Sequence, residues 1–136
     1  MIYGQFQFYN DELNGWARSL TFHKGELRES VRQIGVLLDL QIINAANEKA
    51  SGELIDQLMV QEQQFDHISN HLLSQQQRLE RTTFYPGKST DEPIGQHQDS
   101  IRSKIRTAER NFLRTKYACS IFLSSFLGDR SLAFQN

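Results

Sequence analysis

Apolar residues recur at steps of three and four along three long stretches of this chain, and that spacing constrains the fold more than any other feature. The first stretch offers Leu13, Trp16, Leu20, Leu27, Val31, Ile34, Leu38, Ile42 and Ala45. The second offers Leu54, Leu58, Phe65, Ile68, Leu72 and Leu79, with glutamine at seam positions 61 and 75. The third offers Ile101, Ile105, Ala108, Phe112, Cys119, Phe122 and Phe126. An α-helix turns once per about 3.6 residues, so each set falls on one face that needs another surface to bury it. Stretches of about 30 residues, rising about 1.5 Å per residue, make rods about 45 Å long. Three matched rods predict an all-α bundle of three long antiparallel helices with coiled-coil packing along a shared axis.

The punctuation predicts helices over about 11–47, 52–82 and 92–127 in one helical-bundle domain, 1–136. Asn10, ahead of Asp11 and Glu12, is the expected N-cap of the first. Gly15, Gly25 and Gly35 each cost about 1 kcal/mol of helix propensity against alanine, and a kink or break is expected at Gly25. Asn47 and Ser51 are the candidate caps of the second helix, with Gly52 interrupting beside them. Pro86-Gly87 signals a turn, Ser89 with Glu92 fits a capping box, and Pro93 suits the first turn that follows. The tail, 128–136, is expected to end the third helix near Gly128. The aromatic arm, 1–10, has no second strand to pair with, so it reads as an extended lead-in on the bundle or as a helix extension.

Composition excludes several classes. With 136 residues, 38% hydrophobic and two prolines, the chain is neither disordered nor dominated by apolar spans. The longest apolar-leaning run, 117–127, falls short of the roughly 20 residues that cross a bilayer, so no membrane partner is expected. One cysteine forms no intrachain disulfide and suits a reducing, cytoplasmic location. The net charge of −1 hides a gradient: residues 94–136 carry three acids and seven bases, and the rest carry thirteen acids and eight bases. Opposite signs within one domain can pair with each other on folding, which is the simpler reading than a nucleic-acid footprint.

Three constellations are candidates for function. FDHISNH, 65–71, sets His67 and His71 one turn apart. At about 100° per residue they lie roughly 90–130° from the apolar face of Phe65, Ile68 and Leu72, and Asp66 points elsewhere. With Glu62 they are the weak metal-ligand candidates; zinc needs three or four ligands, and no spacing brings His23 or His97 to the pair. The second constellation is Arg102, Arg106, Arg110 and Arg114, spaced at four, a face for an anionic partner in which Glu109 is embedded. The third is the end of the third stretch, where Leu113, Tyr117, Ile121, Phe122, Phe126 and Leu127 spread around the circumference. Either the aromatic arm covers them or a second subunit does.

No catalytic constellation emerges. Cys119 lies on the apolar stripe and reads as a small buried hydrophobe. PGKST, 86–90, lacks the phosphate-loop spacing, because Thr82 stands where the first glycine belongs. No cofactor is expected. The sequence points to a noncatalytic bundle acting through protein-protein contacts, as a homodimer or with another helical protein. A metal-binding or enzymatic bundle built from histidines and carboxylates between helices is the alternative, and nucleic-acid binding by the arginine stripe is a further one.

Overall fold

The computed structural model describes the backbone of residues 3–84 and 93–134, and the side chains of 4–84 and 93–126. Three α-helices account for nearly all of it: α1 Tyr3–Asp39, α2 Ala45–Phe84 and α3 Ile94–Phe134. At about 1.5 Å per residue they are rods of about 55–62 Å. There is no strand among the described residues.

Cross-helix pairs fix the direction of each rod. Glu12 bonds Arg102 and Glu26 meets Lys116, so α1 and α3 run parallel, each partner ninety positions on. Lys24 meets Asp66 and Arg28 meets Glu62, and Gln75 bonds Gln98 while Gln61 bonds Thr115, so α2 runs antiparallel to both. The result is an up-down-up three-helix bundle, and the α1–α3 contact is the smallest of the three.

Buried side chains run along each rod at seven-residue intervals. They are Leu13, Leu20, Leu27 and Ile34 on α1, Leu58, Phe65, Leu72 and Leu79 on α2, and Gln98, Ile105, Phe112 and Cys119 on α3. The second seam on α1 runs Trp16, His23, Ser30 and Leu37, also seven apart and each at least half-buried. Midway along the bundle the Phe65 and Phe112 rings meet edge to face, 5.6 Å between centroids.

The ends of α1 differ from the sequence expectation. It begins at Tyr3, so of the two readings of the arm the helix extension is the one found, and Asn10 lies inside the helix instead of capping it. Phe6 and Tyr9 are packed against the core there, which offsets the propensity cost of starting with aromatics. The helix also runs unbroken through Gly15, Gly25 and Gly35. Leu20, Leu27 and Ile34, all buried, hold it on either side of Gly25, and the burial outweighs a cost of about 1 kcal/mol.

The break falls instead at 40–44. Ile42 N–H donates to Leu37 O and Gln41 N–H to Leu38 O, both at 3.0 Å, a Schellman motif with Gln41 at φ 56°. Asn44 then caps α2, its Oδ1 accepting from Asn47 N–H at 3.1 Å. Asn47 is thus the residue three positions inside, and Ser51, buried, turns its hydroxyl back to Glu48 O. A left-handed conformation costs an L-residue about 1–2 kcal/mol. Gln41→Gly should therefore raise the stability by about 1 kcal/mol, read as an upward shift of the urea midpoint with unchanged slope.

Pro93 directly precedes α3 and its carbonyl accepts from His97 N–H at 3.0 Å, so its missing N–H costs no helical bond. α3 continues past Gly128 to Phe134, beyond the expected end. The turn at Pro86-Gly87 and the capping box of Ser89 and Glu92 lie outside the described residues.

Candidate functional site

A buried polar chain ties the α1-start end of the bundle together. Gln75 and Gln98 are fully buried. Gln75 Nε2 donates to Gln98 Oε1 and to Ile94 O, each at 3.0 Å. Gln98 Nε2 donates to Glu12 Oε1 at 2.9 Å and to Tyr9 O at 3.2 Å. Glu12 takes Arg102 in a two-pronged contact of 2.7 and 3.1 Å, and Arg102 also reaches Asp99. The hydrogen bonds that Arg102 donates to Glu12 and, to a lesser extent, to Asp99 hold the guanidinium charged against partial burial. Its carbon also sits 5.7 Å from the Trp16 ring centroid. The chain crosses all three helices, so it is a register device more than a reaction centre.

His23 occupies the middle of the bundle. Its ring stacks on Phe65 at 5.9 Å and meets Phe112 edge-on at 5.5 Å. Nε2 lies 2.8 Å from Glu109 Oε2; a carboxylate only accepts, so Nε2 carries the proton. Nδ1 is buried without a hydrogen-bond partner, 3.6 Å from Glu26. Glu26 is held below the usual carboxylate range by its hydrogen bond to Lys116, which outweighs its burial. This histidine braces α1 to α3 through Glu109 and packs on Phe65 of α2.

His67 and His71 come together, with ring centroids 4.6 Å apart and their Nε2 atoms 3.1 Å apart. Lys104 from α3 joins them, its Nζ 3.3 Å from His71 Nε2. Glu62 is turned toward α1, 3.4 Å from Arg28, so it does not share their site. Burial first, and then Lys104, His67, Arg78 and His97, push the His71 pKa below its ordinary value. The described residues hold no group of three or more His, Cys, Asp or Glu side chains placed to bind a metal. The chemistry of this trio is that of nitrogen donors seeking an acceptor.

The arginine stripe is divided. Arg102 is taken by Glu12 and Asp99, whereas Arg106, Arg110 and Arg114 form no ion pair among the described residues. Between them on the outside of α3 run Leu113, Tyr117 and Ile121, 53%, 70% and 55% exposed. Other exposed apolar side chains are single, such as Phe8, Phe22 and Leu73, or paired, as Val36 with Leu40 and Met59 with Val60, while these three follow at steps of four. Arg106, Glu109, Arg110, Leu113, Arg114 and Tyr117 line one shallow depression, in which the Glu109 carboxylate is taken by His23.

Two others of the α3 set are turned inward. Phe122 and Phe126 pack against the core, their rings 4.9 Å apart. The side chain of Leu127 lies outside those described. The aromatic arm does not reach Leu113, Tyr117 or Ile121: Gln98, at the opposite end of α3, is what bonds Tyr9 O. Cys119 is buried, and burial pushes its thiol above the ordinary range, away from a reactive thiolate. No helix among the described residues is long and apolar enough to cross a membrane.

Sequence reasoning placed Gln61 and Gln75 on the seam, where both are buried, but missed Gln98 and the central histidine as structural elements. Seven-residue spacing was the available signal: His23 stands between Trp16 and Ser30, and Gln98 stands seven before Ile105. The chain matches no protein-family model, no curated protein and no solved structure.

Proposed function

We propose that this protein is a noncatalytic coiled-coil bundle that acts by protein-protein contact, through the outward face of α3. One observation carries the reading: Leu113, Tyr117 and Ile121 form an exposed row beside arginines that no carboxylate of the described residues engages. Apolar and aromatic side chains with arginine are the composition of an interface centre. The partner is a second copy or another helical protein laid along α3. A single buried cysteine loses nothing in a reducing compartment, which supports the cytoplasm as its location. Nucleic-acid binding is the weaker reading of this face, because Arg102 is neutralised and apolar side chains interrupt the basic row.

Self-association is tested by measuring solution mass from about 0.1 to about 100 μM, the range that brackets a Kd of about 1 μM, or about −8 kcal/mol. The expected result is a mass rising toward twice 15.8 kDa. Tyr117→Glu with Ile121→Glu should hold the chain at monomer mass at every concentration without altering its helix content. Unchanged association in that variant would move the interface elsewhere.

A further inference from the structure

On the side where their walls are formed without α1, α2 and α3 enclose a groove of about 490 Å³ lined by residues of those two helices only. Its floor is Ile68 and Ala108, buried, with exposed Val60 at the rim. Gln63, Gln64, Ser103, Thr107 and Asn111 supply hydrogen-bonding walls. A second stretch of about 450 Å³ continues it past Val60, Gln64 and Asn111 to Asp56 and Arg114.

Lys104, His67 and, at its edge, His71 stand at one end. A neutral imidazole offers one lone pair, and His71 Nε2 has both His67 Nε2 at 3.1 Å and Lys104 Nζ at 3.3 Å beside it. With Lys104 donating to that lone pair, the His67 Nε2 that faces it either competes as a second donor or meets it lone pair to lone pair, according to its tautomer, so the cluster has room for a further acceptor. The charged groups acting on His71 are His67 and Arg78 from α2 and Lys104 and His97 from α3, every one of them basic. Elsewhere the bundle pairs its charges across helices: Lys24 with Asp66, Arg28 with Glu62, Lys116 with Glu26 and Arg102 with Glu12. Lys104, like Arg106, Arg110 and Arg114 on the outer face of α3, has no carboxylate partner among the described residues, and it is the one cation of α3 that lines the first stretch of the groove.

We propose that this groove docks an acidic amphipathic helix of a partner protein, with an aspartate or glutamate carboxylate seated on Lys104, His71 and His67. A carboxylate brings two oxygens and roughly four acceptor positions, enough for all three nitrogens. Apolar side chains of the same helix lie over Val60 and the Ile68-Ala108 floor, in the manner of a helix laid into a two-helix groove. A phosphate backbone would use the cations and leave the exposed Val60 side chain in water. In the free protein, burial and basic neighbours keep His71 neutral to lower pH than usual. The docked carboxylate reverses that, so docking takes up protons and tightens on acidification.

The test is an NMR titration of the isotope-labelled full chain with a synthetic helical peptide of about 20 residues, leucine on one face and glutamate on its flanks. The expected result is perturbation of Val60, Gln64, His67, Thr107 and Asn111, with affinity rising at least about threefold from about pH 7.5 to about 6. Lys104→Glu should weaken binding about tenfold, against less than about twofold for Arg18→Glu, the same charge change on exposed α1. Equal weakening in the two variants, or perturbations confined to the outer face of α3, would overturn the proposal. So would an equal response at these residues to the lysine-for-glutamate peptide, to inorganic phosphate or to a short DNA duplex.

Discussion

Phe112→Ala is expected to lower the stability by about 3–5 kcal/mol, the largest effect of any single truncation in the bundle. Phe112 is fully buried and contacts the rings of Phe65 and His23, which come from the other two helices. The rods are long and thin, so the middle of the bundle has no second layer that can collapse into the space. The cavity term therefore adds to the lost transfer energy. Urea unfolding followed by helix content reads the change directly, and Tyr117→Ala on the outer face should move the midpoint by no more than about 0.5 kcal/mol. A loss under about 1 kcal/mol for Phe112→Ala would mean that the helices do not meet at this ring.

The second large effect concerns the buried glutamines. Gln98→Leu removes the acceptor for Gln75 Nε2 and one donor to Glu12, leaving Gln75 with an unpaired N–H beside an Oε1 that already has no partner. The expected cost is about 2–3 kcal/mol. Adding Gln75→Leu to Gln98→Leu removes the orphaned amide, so the double variant should recover at least about 1.5 kcal/mol of that loss. What the double variant should forfeit is selectivity. Leucine at both positions fits other registers of the three rods, whereas the chain from Ile94 O through Gln75 and Gln98 to Glu12 closes in one. Additive destabilisation in the double variant would contradict the network.

The helices were legible because their apolar periodicity is long, and the core-facing stripe of each rod could be read almost residue by residue. The ends of α1 were not. Aromatic residues at 6 and 9 look like an arm until tertiary packing holds them in helical register, and Gln41 in a left-handed turn carries none of the glycine signal that marks such turns. Gly25 has ordinary helical surroundings on an exposed face with nothing within 4 Å of an added Cβ, so a helix tolerates it at modest cost. The sites divided in the same way. Spacing alone correctly turned His67 and His71 away from the core, since an angle on one helix suffices for that. It could not find Lys104 beside them, nor Glu12 on Arg102, because those meetings depend on the register between helices. His23 looked like a spare ligand because a lone histidine within a polar stretch reads as surface; its neighbours Phe65 and Phe112 come from elsewhere in the chain.

The face of α3 is the point on which the functional account rests, and covalent footprinting of the wild-type chain reaches it most directly. Hydroxyl-radical labelling would be compared between a dilute sample and one concentrated about a hundredfold, or saturated with a helical partner. The account predicts that Leu113, Tyr117 and Ile121 lose labelling together on concentration or partner binding, while exposed Phe22 on α1 keeps its own. Equal labelling of Tyr117 in the free and associated states would contradict it.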